Sequence, residues 1–215
     1  TIEETAETEP EGTEVLEEAM RRVVDFDKLQ TETNADIYAW IYIPDTNIDY
    51  PVLQHPTDDT RYLNYNIDGS KGYPGCIYTE KANAKDFSDF NTVIYGHNMK
   101  NGSMFHDLHK FSDESFLEEH PYVYVYLPDK ILKYEIFAAY EYDDRHLLYS
   151  FDYTSEKVRE GYIDSILGNR SMSAVIKSSV GVTADSHIIT MSTCIGGKAN
   201  NRFLVQAVLM NDINE

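Results

Sequence analysis

The sequence predicts a mainly β domain with helices, its strands closed into a barrel or stacked as a sandwich. Three observations carry that expectation. From Ala39 onward, eight short runs rich in β-branched and aromatic residues follow one another, each ended by turn residues. One of them, Tyr122-Val123-Tyr124-Val125-Tyr126, alternates at the period of a strand. The chain also carries 17 tyrosines, a residue that suits sheet surfaces. Its 215 residues are enough for one domain with a full core and at most an appendage.

The elements follow in order. Residues 1–12 (TIEETAETEPEG) are acidic, nearly free of apolar side chains, and predict a disordered segment. One amphipathic helix is expected over about 13–29, with Thr13 as N-cap and Val15, Leu16, Ala19, Met20 and Val23 along one face. Glu17 and Glu18 precede Arg21 and Arg22 by four residues, the favourable order for helix ion pairs. Residues 13–34 then form an N-terminal helical appendage and 35–215 the β domain. Strands are predicted at 39–44, 48–53, 76–79, 92–95, 122–127, 132–142, 187–193 and 203–210. A short helix is expected at 103–110. A longer one at about 155–167 has Val158, Tyr162, Ile163, Ile166 and Leu167 as its apolar stripe, Ser155 as cap and Gly168 beyond its end.

Composition narrows the function. Lys and Arg number 18 against 37 Asp and Glu, a formal net charge of -19, which repels nucleic acid and anionic membrane surfaces. Two cysteines, Cys76 and Cys194, make neither a disulfide framework nor a zinc cluster unaided. No stretch of residues 1–215 resembles a signal peptide or a transmembrane run of about 20 apolar residues. The first residue is Thr1, so the natural protein is expected to extend further upstream.

Chemistry concentrates at Ser186–Cys194 (SHIITMSTC), an apolar strand ending in a thiol. A short loop and a second strand opening at Arg202 follow, and strands so joined pair antiparallel. Paired strands lie about 5 Å apart, so Arg202 can reach whatever Cys194 attacks, and a guanidinium there stabilises a thiolate or an oxyanion. The bland reading is a buried thiol beside a surface arginine. A cysteine nucleophile needs an acid/base, usually histidine. His187 lies seven residues from Cys194 on one strand, roughly 23 Å along an extended chain, and is out of reach. His55, His120 and His146 have no special setting. His106 and His109 share a helical face without a third ligand and are expected to face solvent. His97 follows the apolar run 92–95 and Gly96, at a sheet rim where functional side chains cluster. Cys76 is taken as a small core hydrophobe.

At this point a family resemblance enters. TMSTC (190–194) with Arg202 on the next strand resembles the sortase signature, a T-L-x-T-C run with a downstream arginine. NTVIYGHNMKNGSMF (91–105) is similar to the class B sortase segment around the catalytic histidine. The stretches ADIYAWIYIPDTNIDYPVLQ (35–54) and RYLNYN (61–66), the helix at 155–167 between the sixth and seventh strands, and an N-terminal helical appendage also resemble class B members. The likeness spans about 13–210. Met191 replaces the usual leucine, and the eight-residue step from Cys194 to Arg202 is shorter than in some members, which leaves the shape of the last loop open.

The resemblance implies the sortase eight-stranded β-barrel and a transpeptidase anchored outside a Gram-positive cell by an N-terminal membrane segment upstream of this chain. It implies Cys194 as nucleophile, His97 as general acid/base and Arg202 as oxyanion or substrate stabiliser, with no cofactor and no metal. Ser192, Leu63 and Asn98 are candidates for the substrate groove. The partners implied are a C-terminal sorting motif, cleaved after Thr, and an amine of the peptidoglycan, or a pilin lysine in a polymerising member. A cysteine hydrolase with the same trio and a non-catalytic β-domain that binds peptide or wall remain as rivals.

Overall fold

A computed structural model describes residues 11–212, with side chains from residue 16 to 210. Of the segment expected to be disordered, residues 1–10 lie outside the described residues, and 11–12 open helix α1 (Glu11–Arg21). Thr13 therefore lies within that helix and is not its N-cap. The single helix expected over 13–29 is two: α2 (Phe26–Glu32) starts afresh after a break. The causes are local. Val23-Val24 is a β-branched pair, poor for continuing a helix. The Asp25 carboxylate accepts the Lys28 N–H (3.0 Å) and caps α2. Arg22 turns out of line to donate to both oxygens of Asp49 (2.6 and 2.5 Å), with its guanidinium over the Tyr42 ring. The Glu17–Arg21 ion pair forms. With helical phase lost, Val23 is 90% exposed, whereas Ala19 and Phe26 stay buried.

Nine strands make one sheet: β1 (Ile37–Tyr42), β2 (Asp49–Leu53), β3 (Ile77–Thr79), β4 (Asn91–Tyr95), β5 (Tyr122–Tyr126), β6 (Ile131–Asp143), β7 (Val175–Ile176), β8 (Ile188–Ile195) and β9 (Lys198–Asp212). Their order is β5-β1-β2-β3-β4-β8-β9-β6-β7, and β5 also pairs with β6. That pairing closes eight strands into a barrel and excludes the sandwich. Closure leaves those strands no open edge to template aggregation. The extra strand, β7, was not expected; its two residues pair with Ala138 and Ala139 of β6. Short helices α3 (Arg61–Asn64), α4 (Glu114–Glu119) and α5 (Leu147–Ser150) also went unpredicted, being too brief to show a period. The helix expected at 103–110 is a 3₁₀ helix over His106–Ser112.

Alternation along the strands separates two apolar layers. Ile94, Ile189, Met191, Phe203 and Val205 point into the barrel. Val93, Tyr140, Leu204 and Val208 point outward, and Tyr162 and Ile166 of α6 (Glu156–Leu167) cover them. Ser155 occupies the N-cap position of α6, but its side chain makes no capping bond.

Between α6 and the barrel lies a buried polar chain. Thr190 Oγ1 donates to Asn91 Oδ1 (2.7 Å), and Gln206 Nε2 donates to Thr190 Oγ1 and to the Tyr162 hydroxyl (both 2.8 Å). The Tyr140 hydroxyl donates to Gln206 Oε1 (2.9 Å). Thr190 and Gln206 are fully buried, so these bonds join β4, β8, β9, β6 and α6 in one register without help from bulk water. Gln206→Leu keeps the volume, leaves the Tyr140 hydroxyl without a partner and takes one hydrogen bond each from Thr190 and Tyr162. We expect it to destabilise the fold by about 2–4 kcal/mol, since each buried unsatisfied group costs about 1–3 kcal/mol. Urea denaturation measures this, and an unchanged midpoint would show that the chain contributes no net stability.

Candidate active site

Three neighbouring strands end at one level. β4 and β8 run parallel, with Tyr95 opposite Ser192, and the ladder continues through a Gly96 N–H bond to the Ser192 carbonyl (3.2 Å). Carried two residues further, that register sets His97 beside Cys194. In the antiparallel pair β8–β9, Cys194 is opposite Arg202, and in β9–β6 Arg202 is opposite Tyr142. Residues directly opposite share a face, and this row lies on the outer face, just beyond Leu204 where the cover of α6 ends. Gly96 is required in the approach: a Cβ there would stand 2.4 Å from Ile77 Cδ1 and 2.7 Å from the Phe105 ring.

The last loop is shorter than the sequence suggested. β8 runs to Ile195 and β9 begins at Lys198, so Gly196-Gly197 is a two-residue hairpin turn, with Gly197 at φ +78°. A register shift follows Cys194. The residues once expected to form loop, 198–201, are thus strand, and they bring Arg202 level with the thiol.

A cleft of about 280 Å³ opens over this row, and Leu63, His97, Ser192, Cys194 and Arg202 all line it. Cys194 is exposed. Cys76 is 5% exposed, its thiol faces the Tyr65 carbonyl at 3.5 Å, and burial, with Asp68 nearby, pushes its pKa up to about 12. His97 is held by α3: its Nε2 lies 2.8 Å from the Leu63 carbonyl. A carbonyl only accepts, so Nε2 carries the proton and Nδ1 is the basic nitrogen. Tyr73 meets the ring edge-on at 5.0 Å. Arg202 Nη1 donates to the Ala199 and Asn201 carbonyls (both 3.0 Å), and no carboxylate pairs with it among the described residues.

Ser192 is buried beneath the cleft, and the Leu63 side chain stays exposed at its rim. Asn98, the third groove candidate, does not line it. Its Nδ2 donates instead to the Cys194 backbone carbonyl (2.9 Å). His106 and His109 do not present a solvated face either. Their rings are half-buried and flank that same carboxamide (2.8 and 3.0 Å). His146, for which the sequence suggested no role, reaches the buried Glu80 from the opposite wall of the cleft (Nε2 to Oε2, 2.8 Å). Burial raises the Glu80 pKa, and the His146 bond opposes that rise. No local sequence signal could have found this pair, whose members are 66 positions apart.

A family model described as the Sortase domain matches residues 41–210. The chain belongs to the sortase family. It is 36% identical over 179 residues to Sortase B of Listeria monocytogenes, a match covering 82% of this chain and 71% of that one. Among solved structures, sortase B of Clostridium perfringens superimposes with a TM-score of 0.76 at 28% identity, covering 86% of this chain and all of that one. A substrate complex of Staphylococcus aureus sortase B gives 0.76 at 26% identity, covering 93% and 91%. The present sortase is thus a class B member with the eight-stranded barrel of the family, and a cysteine transpeptidase in cell-wall anchoring. The reading as a non-catalytic binding domain falls. Sortases are cell-surface enzymes of Gram-positive bacteria, and they act on proteins bearing sorting signals and on peptidoglycan precursors.

Two outcomes follow from the site's electrostatics. Iodoacetamide at pH 8 is expected to alkylate Cys194 of the folded sortase and spare Cys76. A thiol at about 12 is only about one part in 10⁴ ionised at that pH. Peptide mass mapping reads this, and equal labelling of both would refute it.

The second concerns His109. Burial, then the nearby His106, lower its pKa, against the Cys194 carbonyl and Glu141, which raise it. The unfolded chain therefore binds this proton more readily than the folded one. The stability His109 contributes is complete above about 6.5, its unfolded pKa, and is lost as the pH falls through the lower folded value. His109→Gln is expected to shallow the fall in urea midpoint between pH 7 and pH 5. Parallel slopes in the two proteins would exclude His109 as a source.

Proposed function

We propose that this sortase works through a thioester on Cys194, with His97 as proton carrier and Arg202 as oxyanion donor. What supports the reading is one observation: the ends of β4, β8 and β9 bring an exposed thiol level with an imidazole on one side and a guanidinium on the other. The substrate is a C-terminal sorting motif cleaved after Thr. The thiolate attacks the Thr carbonyl carbon. The developing oxyanion is met by Arg202, whose Nε and Nη2 have no protein acceptor among the described residues. The C–N bond breaks, its electron pair leaves with nitrogen, and the His97 imidazolium protonates the departing amine. The acceptor amine then attacks the thioester, His97 takes its proton, and the thiolate leaves. A peptidoglycan amine is the acceptor. The enzyme works at the outer face of the membrane, held by an N-terminal anchor. Leu63 and Ser192 bound the groove in which the motif lies.

The test combines mass spectrometry with kinetics on a peptide carrying a Thr-Gly or Thr-Asn junction. The acyl fragment ending in Thr is expected on the Cys194 peptide of the wild type, is replaced by an amide product when an amine is added, and is absent from Cys194→Ala. Release of free acid at the same rate with and without amine would instead make the enzyme a hydrolase. Arg202→Lys is expected to lose about 10²-fold in kcat, because lysine keeps the charge but not the planar fork of donors. Turnover near wild type in that variant would remove Arg202 from the mechanism.

A further inference from the structure

The parallel ladder between β4 and β8 does not stop where the main chain of β4 leaves it. In a parallel pair the bonds recur every second residue, so after Gly96 N–H to Ser192 carbonyl the next partner of the Cys194 carbonyl would be the Asn98 N–H. The main chain has by then turned away. Asn98 bridges Met104, and the Phe105 N–H donates to the His97 carbonyl (2.9 Å). The Asn98 side chain fills the vacated place, its Nδ2 lying 2.9 Å from the Cys194 carbonyl.

Two histidines fix that carboxamide. His106 Nδ1 lies 2.8 Å from Asn98 Oδ1, and His109 Nε2 lies 3.0 Å from Asn98 Nδ2 and 3.1 Å from the Cys194 carbonyl. The His109 ring is stacked on Phe203, with centroids 4.8 Å apart, at the start of the barrel interior. One proton arrangement satisfies the whole set. His106 Nδ1–H donates to Oδ1, one Nδ2 hydrogen goes to Cys194 and the other to an unprotonated His109 Nε2. A proton on Nε2 would face the amide hydrogen across 3.0 Å and compete for the Cys194 carbonyl. Burial keeps His109 below its ordinary pKa and favours the neutral form against the Cys194 carbonyl, with His106 on its own helix acting the same way as burial and Glu141 of β6, which Lys198 Nζ holds at 2.7 Å, acting against it.

We propose that Asn98, His106 and His109 form a positioning relay that takes over the β4–β8 ladder and fixes the main chain of Cys194, and so the direction of its thiol, from the side opposite the cleft. None of the three touches the cleft, and no acid/base step is assigned to them; they are positioning residues. The relay rests on Cys194 being the nucleophile. Its effect lies on kcat rather than on substrate binding, because it sets the angle between thiol, oxyanion donor and imidazole.

The experiment uses steady-state cleavage, iodoacetamide alkylation of Cys194 and thermal melting on Asn98→Asp, His109→Leu and His109→Gln. Asn98→Asp keeps the shape and removes the donor; His109→Leu removes the acceptor; His109→Gln restores one at similar reach. Misplacement of a reacting group by about 1 Å costs on the order of 10²-fold, so kcat is expected to fall about 10- to 100-fold in Asn98→Asp and His109→Leu with KM nearly unchanged. Alkylation, which needs no oxyanion donor, should stay within about threefold of wild type, and His109→Gln should recover most of the lost kcat. Melting separates a folding defect from misplacement, and the Leu and Gln pair carries the test if Asn98→Asp does not fold. Wild-type kcat in His109→Leu, or a Gln variant no better than Leu, would overturn the relay while leaving the nucleophile intact. Cleavage that survives full alkylation of Cys194 in the wild type would overturn the nucleophile and the relay with it.

Discussion

The parallel pairing of β4 with β8 is the constraint on which the active site depends. Cys194 and His97 are 97 positions apart, and only the register of that ladder makes them neighbours. A slip of one residue would turn one of the two to the opposite face of the sheet. Two features resist such a slip. The Thr190–Asn91 hydrogen bond ties the strands a few residues upstream, and Gly96 lets Phe105 and Ile77 close against the strand end without a Cβ in the way. On the other side the hairpin at Gly196-Gly197 fixes Arg202 by chain connectivity alone. The guanidinium is therefore positioned locally and the imidazole by tertiary pairing.

The same geometry gives His97 an unusual supporting partner. In serine-protease triads a buried carboxylate orients the imidazole and stabilises its cation. Here the orienting group is the Leu63 main-chain carbonyl, a dipole without net charge. It fixes which nitrogen bears the proton and brings no charge of its own.

What the sequence disclosed, and what it hid, follows the range of the interactions. The run Tyr122–Tyr126 alternates because one face fills the barrel, and that pattern is written in adjacent residues. That Cys194 and Arg202 face each other was legible because a hairpin joins them, whereas the place of His97 beside Cys194 is set by the register of β4 on β8. Val23 kept helical spacing on paper, yet the helix ends before it, because Arg22 is claimed by Asp49 from another part of the chain. Asn98 was expected in the substrate groove, but it lies outside the cleft, and its partner is a backbone carbonyl 96 positions away, which no spacing rule anticipates. His109 and His146 were passed over for the same reason, their settings being made by strands far off in the chain.

The buried chain through Asn91, Thr190, Gln206, Tyr140 and Tyr162 has a consequence for descent. Each member has a partner whose hydrogen-bonding capacity matches its own, and five structural elements contribute to the set. A lineage that lost one member would carry stranded polar atoms until the others changed too. The positions are therefore bound to drift as a block, passing together from a polar set to an apolar one. Because that block also holds the strand alignment beneath Cys194, the interior under α6 is kept from varying freely by the chemistry it supports.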